Sequence, residues 1–258
     1  MYTLKLKNHK GELLELTHNT AYAITSITGL NPPAANINTV DAALVDGATF
    51  NSSKVGMRNI VINLAIQNPA EKNRVNLYQY VKTKKPCTVY FQNGRRNVYI
   101  DGYFETLDVN LFENIQMAQI SIICPQPFFI DVDNQVVQFL HTFNVANGGD
   151  IETGAIITIT ATGGSVVNPS ITNSDTGDYF ELNYTIPEAA TLTINTIRGQ
   201  KGVTLTSSGT TTNLINYIVS GSTWLQLDTG ANNLVCNADT GAEFLTCQIA
   251  YDVKYEGV

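Results

Sequence analysis

Ile115-Gln-Met-Ala-Gln-Ile-Ser-Ile-Ile-Cys-Pro-Gln-Pro-Phe128 is the stretch that settles how this chain is organised. Its first part, Ile115–Ile123, alternates and then runs apolar over a strand's length, which predicts a β-strand. It runs straight into Cys124-Pro-Gln-Pro-Phe128, where two prolines disfavour helix and limit strand pairing. A domain boundary just after this junction divides the chain into residues 1–130 and 131–258.

Charge and composition change at the same place. Residues 1–130 hold 8 Lys and 4 Arg against 9 Asp and Glu, a net of +3. Residues 131–258 hold 2 Lys and 1 Arg against 13 acids, a net of −10, and threonine rises from 10 to 20. Halves this different have different surroundings. The whole chain has 258 residues, 43% of them hydrophobic and only 14% charged, with a net charge of −7. That composition can build a core, which argues against disorder, and its acidity argues against non-specific nucleic-acid binding. The abundant Thr and Asn favour strands and turns over helix. The N-terminus alternates (Tyr2 to Lys7) rather than carrying the apolar core of a signal peptide, and no run approaches a membrane span.

Working back from the junction, the first half predicts strands over Tyr2–Lys7, Glu12–Thr17, Tyr22–Thr28, Met57–Ile66, Cys87–Gln92 and Asn97–Asp108. Asn93-Gly94 joins the last two as a hairpin turn. One helix is predicted, at about 69–83. Asn68 is its N-cap, Pro69 its first residue and Glu71 lies in its first turn. Val75, Leu77, Tyr78 and Val81 form its apolar stripe, Lys82, Lys84 and Lys85 gather at its end, and Pro86 stops it. Between the third strand and Met57, residues Gly29 to Ser53 read as a long loop without periodicity, a length that is usually functional. We expect Asn31–Phe50 to contact an adjacent subunit or a further copy beyond it, as in a next ring, the alternative being a loop that covers an open sheet edge.

Forward of the junction, helical periodicity almost vanishes. Strand candidates recur at Ala155–Thr160, Ser170–Asn173, Tyr179–Tyr184, Thr191–Asn195, Val203–Thr206, Trp224–Leu227, Asn233–Cys236 and Phe244–Lys254, punctuated by glycine turns. This pattern indicates an antiparallel sandwich of jelly-roll type. The fold class is therefore mainly β: an N-terminal barrel- or sandwich-like domain with one α-helix, then a C-terminal sandwich.

The order and spacing of several short stretches carry a family resemblance. They are Tyr22-x-Ile24-Thr-Ser-Ile27-x-Gly29-Leu-Asn-Pro-Pro33, Asp46-Gly47-x-x-Phe50-Asn51, Arg58-Asn-Ile-Val61, Asn73-Arg74 with Leu77-Tyr78, and Ile100-x-Gly102-Tyr-x-Glu105. Ile120-Ser-Ile-Ile-Cys-Pro125, Ser222-x-Trp224-x-x-Leu227-x-x-Gly230-x-Asn232 and Tyr255-Glu-Gly-Val258 complete the set. Together they resemble the distal tail protein family of long-tailed phages, over essentially the whole chain. The resemblance implies a hexameric ring built by the N-terminal domain, with a galectin-like sandwich set around it. It implies a hub that joins tail tube to baseplate, leaves a channel for DNA without sequence-specific binding, and anchors tail-associated and receptor-binding proteins. One ring or two stacked rings, no cofactor, no membrane insertion, and residence in the virion tail tip after assembly in the host cytoplasm follow from the same likeness. The interface candidates are Asn31, Pro32, Pro33, Asp46, Gly47, Phe50, Asn51 and Arg58. The chain is too short for an inserted carbohydrate-binding module.

Signals for chemistry compete with this reading. Asp-Thr-Gly occurs at Asp175, Asp228 and Asp239, and Leu225-Gln-Leu-Asp-Thr-Gly-Ala231 resembles the active-site turn of an aspartic protease. Such an enzyme pairs two aspartates and needs a later apolar strand ending in an apolar-apolar-glycine turn. The 28 residues after Gly230 supply none, so turns between strands are the better account. Trp224 is either a sugar-stacking platform of a carbohydrate-binding module or a strand-packing residue. Cys87, Cys124, Cys236 and Cys247 form no CxxC pair and read as buried thiols, with a Cys236–Cys247 disulfide as the alternative. His9, His18 and His141 form no metal or nucleophile motif. Asp131-Val-Asp133-Asn134 lacks the glycine and distal glutamate of a calcium loop. The basic cluster Lys82, Lys84, Lys85, Arg95 and Arg96 is read as a helix end plus a hairpin turn.

Overall fold

The computed structural model describes residues 2–41, 43, 46–133, 135–139 and 141–258. They form two compact units, residues 1–132 with 255–258 and residues 133–254. The sequence division assigns 255–258 to the second half, but these four residues lie in the first unit.

The first unit is built on β1 (Thr3–Lys7), β2 (Leu13–Glu15), β3 (Tyr22–Thr28), β4 (Ala35–Asp41), β5 (Ala48–Val55), β6 (Arg58–Ile66), α1 (Ala70–Tyr80), β7 (Pro86–Gln92), β8 (Asn97–Val109), β9 (Met117–Cys124) and β10 (Phe129–Asp131). One sheet runs in the order β2-β1-β7-β8-β9-β6-β3. Off that path lie β10 and the two-residue strand Lys254–Tyr255. Alternation does the folding. In β6 the residues Ile60, Ile62, Leu64 and Ile66 are buried while their neighbours are not. They join Leu4 and Leu6 of β1, Val89 of β7, Ile100 and Phe104 of β8 and Ile120 and Ile122 of β9 in one core. Strands at opposite sides of the sheet share this core, so the sheet curls around it. At about 25 cal/mol per Å² of apolar area removed from water, burial on this scale is the main stabilising term.

Helix α1 is shorter than its sequence suggests. Pro69 is the N-cap in extended backbone rather than the first helical residue, and no side chain caps the helix. Its inward face is carried by Asn73 and Leu77, with Val81 buried just beyond it, while Val75 is exposed. Asn73 is buried because its amide donates to the Gln67 carbonyl at 2.9 Å, and its own carbonyl accepts from the Tyr22 hydroxyl at 2.8 Å. Lys82, Lys84 and Lys85 lie past the C-cap Val81, so they do not sit on the helix end.

The second unit adds β11 (Gln135–Phe139), β12 (Thr142–Asn147), β13 (Thr153–Ala161), β14 (Val166–Asn173), β15 (Tyr179–Glu181), β16 (Thr185–Ile186), β17 (Thr191–Asn195), β18 (Gly202–Ser207), β19 (Thr210–Asn213), β20 (Gln226–Leu227), β21 (Gly230–Thr240) and β22 (Leu245–Tyr251). One sheet runs β11-β22-β13-β17-β18-β19 with β20 on β13, the other β12-β21-β14-β15 with β16 on β14. Inward residues alternate on both. Ile157, Ile159, Leu192, Ile194, Val203, Cys247 and Ile249 are buried from the first sheet, and Val145, Ile171, Phe180, Leu234 and Cys236 from the second. This is an antiparallel β-sandwich.

On the outer side of the larger sheet the threonines line up. Thr246, Thr160, Thr191, Thr206 and Thr211 are successive cross-strand partners over five strands. A second rank holds Thr158, Thr193 and Thr204. Two hydroxyl contacts tie neighbours in the first rank, Thr160 to Thr191 at 3.4 Å and Thr206 to Thr211 at 3.1 Å. The threonine enrichment of this half is therefore a surface feature as well as a strand preference.

Candidate assembly surface

The stretch read as a loop, Gly29–Ser53, contains most of a two-stranded ribbon. Strands β4 and β5 pair antiparallel from Ala35↔Val55 to Asp41↔Ala48, with a register shift between Asn38 and Thr39. Among the described residues they pair with no other strand. Every residue of β4 and all but Val55 of β5 are exposed. Ile37 is 63% exposed, Val40 57% and Phe50 62%. Thr39 pairs with Phe50, so Phe50 and Ile37 share one face of the ribbon while Val40 lies on the other. A lone two-stranded ribbon is marginal in water, and among the described residues one side-chain hydrogen bond ties it, Asn38 to Ser52 at 3.0 Å. Such an arm presents apolar area and open strand edges to a partner.

The arm's root is stiff where its strands are exposed. Arg58 opens β6 in phase with Ile60 and Ile62, so the alternation points it inward, and it is only 4% exposed. Its Nε donates to the Pro127 carbonyl at 2.6 Å, and one Nη donates to Gly29 and Asn31 at 2.6 and 2.7 Å. The other Nη donates to Glu256 at 2.5 Å. The guanidinium also lies 4.7 Å over the Phe129 ring. Burial pulls its pKa below the ordinary value, with Cys124 and Glu256 pulling the other way, and an arginine still stays charged. Gly29 has φ +86°, and a Cβ there would lie 2.1 Å from the Asn59 carbonyl oxygen, so only glycine fits where the chain leaves β3 for the arm.

The eight candidate residues thus separate. Asn31, Pro32, Asp46, Gly47, Phe50 and Asn51 are exposed on the arm or its root, and Pro33 is half-buried. Arg58 is not a surface residue. Its donors are taken by carbonyls of its own unit, and it holds the arm from inside. Sequence reading missed Ile37 and Val40. It also missed the loop after β8, where Leu111, Phe112 and Ile115 are exposed, Phe112 completely.

The competing sites have other arrangements. Trp224 is half-buried, its ring 5.2 Å from Phe180, with the Lys201 ammonium 5.6 Å over it. Its contacts are those of a packing residue. The three Asp-Thr-Gly segments lie at strand boundaries, in the turn after β14, at the entry to β21 and at its exit, and Gly177, Gly230 and Gly241 take positive φ. Asp175 accepts from the Asn233 backbone and side chain at 2.7 and 2.9 Å, which lowers its pKa. Asp239 accepts from Asn168, and the Asp228 backbone is bracketed by the Asn232 amide. All four cysteines are free and buried, so no Cys236–Cys247 disulfide is present. Burial pushes Cys87 and Cys124 up to about 12, and contact with Cys236 followed by burial pushes Cys247 up as well. The three histidines are exposed. Asn93 folds the basic hairpin by accepting from the backbones of Arg95 and Arg96, and the Arg96 side chain is turned onto the Gly257 carbonyl and the Tyr255 ring. Among the described residues no three acids, histidines or cysteines gather as metal ligands. Asn134, the last of the calcium candidates, lies outside the described residues. No helix among the described residues is long and apolar enough to cross a membrane.

Comparison with known proteins places both units. Residues 9–124 match the phage tail protein RIFT-related domain, and residues 148–255 match the siphovirus-type tail component C-terminal domain. No curated protein matches the chain in sequence. Among solved structures it resembles the Dit protein (gp 19.1) of phage SPP1, described as a paradigm of hub adsorption apparatus in phages infecting Gram-positive bacteria. The TM-score is 0.73 at 12% identity, over 98% of this chain and 99% of that one. It also resembles a chain of the phage P2 baseplate in its activated conformation, with Ca and with Sr. The TM-scores are 0.53 and 0.52 at 10% and 11% identity, over the full length of both chains.

Proposed function

From a chain that belongs to the siphovirus-type distal tail protein family, we infer a non-enzymatic hub that assembles as a hexameric ring between tail tube and baseplate. The first unit forms the ring and the arm reaches the adjacent copy. The ring leaves a channel for DNA, and the assembly anchors tail-associated and receptor-binding proteins. The observation that carries this reading is the arm. A ribbon exposed on both faces, with Ile37, Val40 and Phe50 in water and a buried arginine fixing its root, is unfavourable in isolation and favourable once a partner covers it. The near-balanced charge of the first half suits subunit packing, where unpaired charge is costly. The separate asparagine partners of the three Asp-Thr-Gly aspartates and the packed Trp224 support a role without catalysis or sugar stacking.

Negative-stain microscopy of the purified protein tests this directly. Six-fold rings with a central hole are expected. A protein that stays monomeric by mass photometry at all accessible concentrations would overturn the ring.

A further inference from the structure

Residues 255–258 are packed against the root of the arm. The Val258 amide donates to the Leu30 carbonyl at 3.1 Å. The Glu256 carbonyl takes one donor of Arg58, whose other Nη holds Gly29 and Asn31. The Gly257 carbonyl accepts from Arg96. Gly257 is buried, and a Cβ on it would lie 2.8 Å from Pro32 Cδ and 3.0 Å from Pro32 N, both parts of a rigid ring at the start of the arm. Tyr255 and Val258 pack, with Leu30, against the core of the first unit. Nearly all of the second unit's sequence therefore lies between the arm and the segment that completes its root.

We propose that residues 255–258 are a latch that sets the arm, so that a chain presents a docking-competent arm only after its second unit has been made and this segment has seated. The physical ground is the hydrogen-bond accounting at Arg58. Without Glu256 one buried donor group loses its acceptor, and the Leu30 carbonyl loses its donor, which is costly in a buried setting. The root then gives up the geometry that only the seated segment satisfies. Seating of the latch orders the arm's root in advance, which lowers the ordering cost at docking. The consequence for assembly is a safeguard: chains lacking a seated latch are poor ring partners and do not enter rings as defects. The latch rests on the arm reading for this consequence, but its effect on the root is independent of it.

The test is Gly257→Val in the full chain, chosen because its Cβ meets the backbone and ring of Pro32 while the core is untouched. Hydrogen exchange read by mass spectrometry on segment 29–34 and on Arg58 through Ile60 reports the root. Mass photometry reports self-association, and circular dichroism reports folding. The expected result is exchange at the root faster by at least tenfold, unchanged far-ultraviolet signal, and self-association weakened by at least tenfold. Unchanged exchange at the root overturns the latch, whatever the oligomeric state. Faster exchange with undiminished association overturns its role in assembly. A wild-type protein that never associates sinks the ring reading above, while the exchange measurement still decides the latch.

Discussion

The two units solve opposite problems with the same kind of strand. Of the large hydrophobic side chains exposed among the described residues, twelve belong to the first unit and four to the second. The second half instead carries 13 of the chain's 22 acids and a net charge of −10, against +3 in the first. One unit leaves apolar area uncovered and holds a charge inside, at Arg58. The other covers most of its apolar area in a sandwich and, among the described residues, has no fully buried charged side chain. Exposed apolar area favours association and a surplus of one charge disfavours it, so the two units have opposite tendencies toward contact.

The contrast is sharpest in what each unit tolerates. Phe180→Ala, beneath Trp224 in the second unit, removes a fully buried ring and is expected to cost about 3–5 kcal/mol. Arg58→Met leaves four carbonyls without their donor in the first unit and is expected to cost about 3 kcal/mol. Trp224 is the only tryptophan, so its emission reports the second unit alone. In urea titrations Phe180→Ala should shift the tryptophan midpoint. Arg58→Met should shift the ellipticity and leave the tryptophan midpoint in place. A tryptophan shift in Arg58→Met would mean that the units unfold together and would dissolve the comparison.

The arm provides the intermediate case. Ile37→Asp with Phe50→Asp changes only exposed positions, so stability should stay within about 0.5 kcal/mol. Association should fall by more than tenfold, because two desolvated carboxylates would have to enter the contact. Rings of normal yield from this double variant would move the interface elsewhere.

The last effect is alkaline. Cys87 and Cys124 titrate near 8.5 in an unfolded chain but are pushed up to about 12 in the folded first unit. A raised pKa favours the protonated native form. The stability it reflects is whole below about pH 8.5 and is lost as pH rises towards 12. Melting curves between pH 8 and pH 10 should therefore show a progressive fall. A flat profile would indicate thiols that are more open than their burial implies.

Much of this was legible in the chain itself. The alternation of Ile60, Ile62 and Leu64, the Thr191–Asn195 strand and the proline junction each express burial on one face, and burial leaves a period in the sequence. The arm leaves none, because neither of its faces is buried in its own chain. Ala35–Asp41 and Ala48–Val55 therefore read as loop, although Asp46-Gly47 is a turn signal between them. Arg58 was legible in phase with Ile60 but was read as a surface contact, because an inward arginine makes sense only once its four acceptors are known. Those acceptors come from Gly29, Asn31, Pro127 and Glu256, far apart along the chain. Strands β11 and β12 were missed as well: Gln135–Phe139 and Thr142–Asn147 are short strands, each at the edge of its sheet.

The ranks of threonine on the sandwich have a consequence for how a multi-copy particle behaves in its medium. A coat of charge keeps particles apart only while the salt is low, because ions screen it over about 10 Å at 0.1 M. A coat of hydroxyls keeps them apart by holding water, which dissolved ions scarcely affect. With Thr246, Thr160, Thr191, Thr206 and Thr211 side by side on one outer sheet, dispersal does not rest on the acids alone. A surface that is wetted partly by hydroxyls is expected to lose less of its solubility as salt rises than one wetted by charge alone.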